Sequence, residues 1–306
     1  GLRHRWVAGT AFDRSRVHFT QASELGYLNP DRSITGVGAF GDGVTGGNVD
    51  GEPFDTRVDL SARTQTASLF ASDTVAIGRS AHLTLSGRWN RTTVKNRDAI
   101  TPGGGTGSLD GSHRFSRFNP AIGLTFTPAK GLNAWAGIGQ GSRDPSSIEL
   151  GCADPASPCK LPNSFAGDPP LKQVVTTTLE AGVRGGTPGQ WAWNVGLFRS
   201  DNKDDLLFVS DNASGFGYFR NFGKTRRQGL EAGVSVVVTK GLTLSANLTL
   251  LDATYRSPEV VNGASNSSNS ENVEQGLPGV EGTIAINPGD RIPLVPRRLL
   301  KVGLDY

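Results

Sequence analysis

The feature that most constrains this chain is apolar alternation with a period of two. Over residues 242–250, Leu242, Leu244, Ala246, Leu248 and Leu250 alternate with Thr243, Ser245, Asn247 and Thr249. Leu83, Leu85, Gly87 and Trp89 alternate with His82, Thr84, Ser86, Arg88 and Asn90. The pattern recurs in Trp191, Trp193, Val195 and Leu197, in Leu230, Ala232, Val234, Val236 and Val238, and in Leu179, Ala181 and Val183. Successive side chains of a strand point to opposite faces, so each run reads as a strand with one apolar and one polar face. No run approaches the ~18 apolar residues of a membrane helix, but a β-strand crosses with only ~9–11 residues, alternate ones apolar.

A β-sandwich alternates too, with its apolar face inward. The connections separate the two cases. Short turns occur near residues 78–80, 128–131, 186–189 and 239–241. Long polar, Gly-rich segments lie near 20–58, 98–112, 144–172 and 257–290, with a shorter one at 211–215. Short and long connections alternate, as in an outer-membrane barrel with tight periplasmic turns and long outer loops. Ten strands are predicted, at 4–19, 59–77, 81–97, 113–127, 132–143, 173–185, 190–210, 216–238, 242–256 and 291–306. The fold class is all-β: an antiparallel up-and-down transmembrane β-barrel segment, a partial barrel over residues 1–306.

Leu83, Leu85, Val195, Leu197, Val234, Leu244 and Leu248 should then face lipid. Thr84, Arg88, Glu180, Arg184, Asn194, Glu231 and Asn247 should face the lumen. Trp135, Trp191 and Trp193 follow short turns closely and are placed in a periplasmic aromatic girdle, with Trp89 near the opposite one.

Composition agrees. The 306 residues include 41 glycines, 36% are hydrophobic and 19% charged, and no methionine is present even at position 1. The sequence is therefore expected to start inside a longer gene product. The net charge of +3 comes from 31 basic and 28 acidic residues without a dense basic run, which gives no nucleic-acid footprint. Cys152 and Cys159, in a polar Pro-rich stretch, read as a disulfide, with two free thiols as the alternative. A zinc site lacks further ligands. His4, His18, His82 and His113 have no metal or triad spacing. Residues 41–46 fit G-x-G-x-x-G, but no buried strand precedes them and the following glycines and Pro53 forbid a helix. Asp42, Asn48, Asp50 and Glu52 lack EF-hand spacing and read as a solvated loop rather than a calcium site. No nucleophile elbow or phosphate loop is present; no metal, cofactor or enzymatic chemistry is expected.

Several segments resemble the C-terminal barrel of TonB-dependent outer-membrane receptors. Phe118, Asn119, Pro120, Ala121, Ile122, Gly123 and Leu124 are followed by Trp135, Ala136 and Gly137. Arg143, Asp144, Pro145 and Ser146 lead to Glu149 and Leu150. Leu171, Lys172 and Gln173 precede the run from Leu179 to Gly185. Asn221, Phe222 and Gly223 precede Gly229, Leu230 and Glu231, and Ile292, Pro293, Pro296 and Arg297 complete the set. The resemblance implies a barrel closed by a plug domain that contacts TonB; neither plug nor terminal strands are recognised here. It implies energy-coupled uptake from the Gram-negative cell surface of a scarce nutrient such as a ferric siderophore, bound by plug and outer loops. Candidate ligand contacts are Tyr27, Arg32, Phe40, Phe54, Lys160 and Phe165. Arg88, Glu180, Arg184, Asn194 and Glu231 would face the lumen or plug, or pair with each other across strands. The rival readings are a passive porin-like transport barrel and a β-barrel or β-sandwich enzyme.

Overall fold

The computed structural model describes residues 2–23, 26–36, 44–49, 52–104, 108–151, 171–210, 217–262 and 283–306. In chain order the elements are β1 (Arg3–Ser23), β2 (Gly26–Leu28), β3 (Ile34–Gly36), β4 (Val44–Val49), β5 (Glu52–Ile77), β6 (Ala81–Asp98), β7 (Gly111–Ala129) and β8 (Leu132–Arg143). They continue with α1 (Ser147–Gly151), β9 (Val174–Thr187), β10 (Trp191–Ser210), β11 (Gly217–Thr239), β12 (Leu242–Tyr255), β13 (Glu259–Asn262), β14 (Thr283–Ile286) and β15 (Arg298–Asp305).

Ten strands form one antiparallel meander in the order β1-β5-β6-β7-β8-β9-β10-β11-β12-β15, with β4 added beside β5. All four short turns fall at one end, between β5 and β6, β7 and β8, β9 and β10, and β11 and β12. Gly78, Gly131, Gly189 and Gly241 occupy them with positive φ, which only glycine adopts without strain. The long connections all leave from the other end, as the sequence predicts.

The predicted strands are present, with differences at their ends. β15 begins at Arg298 rather than 291. Pro293 and Pro296 lack the N–H a ladder needs, and Leu294 has φ 61°. The pairs β2–β3 and β13–β14, the added β4 and the single turn α1 were not anticipated. They are short, and their formation depends on contacts that local alternation does not encode. Pro120 leaves its own mark. The β7–β8 ladder runs only from Ala129/Leu132 to Ala121/Gly139 and stops at the residue before which no amide hydrogen is available.

Register assigns the faces. Residues directly opposite in a ladder share a face. Val75 opposes Leu83, which opposes Leu124, then Ala136, Ala181, Leu197, Leu230 and Leu250. Leu85, Val195, Val234, Leu244 and Leu248 fall on that same face by the same ladders. Thr84, Arg88, Glu180, Arg184, Asn194, Glu231 and Asn247 all fall on the other. Both sets are as the alternation predicts.

The two faces have opposite chemistry. The apolar one carries exposed Phe118, Ile122, Leu179, Leu197, Leu300 and Val302, the last 73% exposed. Aliphatic and aromatic groups left open over ten adjacent strands form a patch far larger than a water-facing surface carries. The polar face is the enclosed one. Against its outer end, Val58, Leu60 and Leu109 pack with Phe19 and Ile148, and Val94, Leu150 and Leu171 pack with Phe115, Leu206 and Phe219.

One tryptophan departs from expectation. Trp89, Trp191 and Trp193 lie on the apolar face. Trp135 opposes Thr125 and Gly182 and lies on the polar face. Its indole covers Gly182 and Gly196, so a Cβ on Gly182 would come within 2.8 Å of the ring and 2.6 Å of the Val195 carbonyl oxygen. Two glycines at facing positions make the trough that holds the ring inside.

Candidate functional site

The enclosed face and the strand ends above it carry the polar groups available to a ligand or a partner domain. Within the sheet runs a series of side-chain contacts. Arg88 donates to Ser68 Oγ at 2.9 Å and Asn90 Oδ1 at 2.8 Å, and its guanidinium stands 5.7 Å from the Phe70 ring centre. Two hydrogen bonds and a ring contact thus tie Arg88 to the sheet, while its side chain remains exposed. Thr66 bonds Thr92 at 2.9 Å and Thr178 bonds Ser200 at 2.9 Å, each pair directly opposite in the ladder.

Glu180 and Glu231 differ from Arg88. They stand on β9 and β11, either side of β10, and line a hollow of about 240 Å³ with Trp135, Thr178, Asn194 and Phe198. No hydrogen bond or ion pair engages either carboxylate among the described residues. Arg184 opposes Asn133 and Asn194 near the short-turn end, too far along the strand to be opposite either glutamate. The structure therefore separates three of the predicted enclosed residues: Arg88 is bonded to Ser68 and Asn90, and Glu180 and Glu231 present free acceptors among the described residues.

The motif after β8 has a structural explanation. Ser146 caps α1: its Oγ accepts the Glu149 N–H at 3.2 Å, and Glu149 Oε2 accepts the Ser146 N–H at 2.7 Å. This reciprocal pair is a capping box. Arg143 Nη1 then donates to both Glu149 carboxylate oxygens, at 3.1 and 2.9 Å. Asn96 Nδ2 holds the Ser147 carbonyl at 2.7 Å, and Leu150 is 4% exposed against Val94 and Leu171. The spacing Ser146 to Glu149 was legible as a helix start; sequence reading treated it only as part of a family motif.

Asn221 works in the same way. Its Oδ1 accepts the Lys172 N–H at 2.7 Å, and its Nδ2 donates to the carbonyls of Lys172 at 3.1 Å and Asp204 at 2.8 Å. One side chain fastens the approach to β9 onto β10 and β11. Nearby Phe222 is 2% exposed and meets the Tyr255 ring edge-on at 5.3 Å. Both motifs thus anchor the bases of long connections.

Among the predicted ligand contacts, Tyr27 pairs with Thr35 through the β2–β3 ladder and Phe54 with Gly47 through β4–β5. Arg32 is exposed, with φ 69°, in a tight turn where Asp31 accepts the Ser33 N–H and hydroxyl. Phe40, Lys160, Phe165, Cys152 and Cys159 lie outside the described residues. In the connection between β6 and β7, Asp110 accepts the Asp98 N–H at 2.6 Å and the Gly103 N–H at 2.7 Å. These amides hold its carboxyl below the ordinary carboxylate range.

The family model described as TonB dependent receptor-like, beta-barrel, matches residues 1–306. Among solved structures, the siderophore receptor PiuA from Acinetobacter baumannii aligns at a TM-score of 0.62 and 15% identity, over 98% of this chain and 40% of that one. The ferric-catecholate import receptor Fiu from Escherichia coli K12 aligns at 0.57 and 16% identity, over 87% of this chain and 37% of that one. The alcaligin outer-membrane receptor FauA from Bordetella pertussis aligns at 0.52 and 13% identity, over 97% and 43%. The chain thus spans about two fifths of the length of these structures, and the likeness to them is one of fold. The family match over its whole length, on a meander with one apolar face and all short turns at one end, places this chain in the TonB-dependent receptor family as a stretch of its β-barrel.

Proposed function

We propose that this chain is part of a Gram-negative outer-membrane receptor that captures a scarce nutrient at its long connections and imports it with energy supplied through TonB. The observation that carries the reading is the two-faced sheet. Its apolar face is open across ten strands while its polar face is enclosed, the arrangement that lipid outside and an aqueous or plugged lumen inside require. A ferric siderophore is the ligand class we propose, a class that the names of PiuA and Fiu carry.

In this reading Glu180 and Glu231 accept hydrogen bonds from cationic groups of a plug domain. Two carboxylates in a shared hollow gain most from a charged donor, because such bonds are roughly twice as strong as neutral ones. Ligand contacts come from Tyr27, Arg32, Phe40, Phe54, Lys160 and Phe165, and a Cys152–Cys159 disulfide pre-organises the connection that follows α1. The substrate passes through without chemistry. The test is uptake of radiolabelled ferric siderophore by iron-limited cells producing the full-length protein, with and without TonB. Saturable uptake that disappears without TonB supports the proposal. Non-saturable uptake that persists without TonB assigns the chain to a passive transport barrel instead.

A further inference from the structure

Resting on that membrane reading, we infer that the upper edge of β7, residues 111–117, is a docking site where an acidic, extended segment of a partner protein outside the cell adds as a strand. The first observation is an interrupted ladder. β6 and β7 pair up to Asn96/Gly111, and β8 and β9 up to Arg143/Val174, but β7 and β8 part above Ala121/Gly139. Pro120 lacks the amide hydrogen that would continue that ladder. The chain after β8 then leaves the wall. Beyond Arg143 it turns to the enclosed face, where Asn96 Nδ2 holds the Ser147 carbonyl at 2.7 Å and Leu150 packs on Val94. Among the described residues, no strand therefore flanks β7 above Pro120 on that side. Its backbone donors and acceptors are open there over about 20 Å.

An edge of this kind is a template on which another extended chain can pair. At its foot, Asn119 Nδ2 donates to Ser142 Oγ at 3.0 Å, while Asn119 Oδ1 is shut from solvent with no hydrogen-bond partner among the described residues. A donor on an incoming segment would complete it. The height of the edge also fits. Residues 111–117 stand more than ~10 residues above the short turn that follows Ala129, past the length a strand needs to cross the hydrocarbon. Unpaired backbone groups are tolerated there, in water, and not in lipid.

The second observation is charge, and it selects the occupant. Above Pro120, β7 carries His113, Arg114 and Arg117 and no carboxylate. Arg114 and Arg117 have no hydrogen bond or ion pair among the described residues. Being three residues apart, they stand on opposite faces of the sheet. A strand laid against this edge meets one cation on each face. Opposite charges directly across a ladder attract, so the acids of that strand must also lie three residues apart. The segment that fits is extended, free of proline and marked by two carboxylates at that spacing.

The test adds a short fluorescein-labelled peptide to the full-length protein in phosphatidylcholine liposomes. The peptide alternates threonine and valine and carries two glutamates at the spacing of Arg114 and Arg117. A saturable rise in anisotropy is expected, together with slowed hydrogen exchange at residues 112–117. R114S/R117S should bind about three- to tenfold more weakly, and R114K/R117K close to the parent. The same peptide N-methylated at alternate residues keeps its charges but loses its backbone donors, and should bind at least about tenfold more weakly. No binding, equal binding of the N-methylated peptide, an unchanged R114S/R117S or unprotected residues 112–117 would each overturn the inference. Self-association of the protein that protects the same residues without peptide would overturn it in favour of a second copy as the occupant. A nitroxide at position 248 that lipid-dissolved oxygen fails to relax would instead strike the membrane reading on which it rests.

Discussion

The two faces of this sheet are built from the same ten strands, a residue apart, and they follow different rules. On the apolar face large side chains stay open: Leu197 is 59% exposed and Leu300 65%. On the enclosed face, Thr92 and Ser68 are buried and bonded to Thr66 and Arg88, while Glu180, Arg184 and Glu231 stay exposed to the lumen side. In a water-soluble protein the assignment would be the reverse. The difference teaches that parity along a strand carries the choice of solvent, and that a polar group buried on the enclosed face needs a partner while the apolar side chains need none.

The largest effect should come from crossing the parity in mid-span. Leu248, on the apolar face, lies well above the short turn preceding β12, and Thr249 is its neighbour on the enclosed face. Leu248→Arg should cost about 2–4 kcal/mol of barrel stability, and Thr249→Arg much less. Urea unfolding of the full-length protein in liposomes measures both. Leu244, only two residues from the turn, should tolerate arginine better than Leu248. Equal costs at positions 248 and 249 would break the comparison.

A second effect sharpens it from the inside. Gly182→Ala drives a methyl toward the Trp135 ring and the Val195 carbonyl oxygen. A loss of about 1–3 kcal/mol is expected, the usual cost of overpacking. Trp135→Leu in the same background should return part of it by vacating the trough.

Most of this architecture was legible from period two and the alternation of short and long connections. What failed is instructive. Trp135 was placed by its distance from a turn, whereas its parity, opposite Gly182, puts it inside. The start of β15 was misjudged because residues 291–297 read as apolar, although Pro293 and Pro296 remove ladder donors there. The roles of Asn221 and Arg143 were hidden because their partners, Lys172, Asp204 and Glu149, are brought near by topology or by a single helical turn. The open edge of β7 was hidden because the inward turn after β8 depends on contacts to Asn96 and Val94 that local alternation does not encode.

Smaller effects are expected where the connections are anchored. Ser146→Ala removes one arm of the α1 capping box and should cost about 1 kcal/mol, felt locally. Hydrogen exchange should rise at residues 146–150 and stay unchanged in β8 and β9. The smallest effect is a pH dependence. Asp110 is held below the ordinary value of 3.8 by the Asp98 and Gly103 amides. A carboxyl depressed in the folded state contributes stability above its unfolded pKa and loses it as pH falls through the folded one. Residues 98–104 and 108–110 should therefore loosen only below about pH 4, and Asp110→Asn should remove that dependence. Exchange at the Gly103 amide against pH reads it out.

The most direct test of the two-faced account is a nitroxide scan along β12 of the full-length protein in liposomes, with single spin labels at positions 244 to 250. The account predicts alternation. Labels at 244, 246, 248 and 250 should be relaxed by oxygen dissolved in lipid, and those at 245, 247 and 249 should be shielded from it. Accessibility without a period of two, or with the opposite phase, would contradict the assignment of the apolar face to lipid.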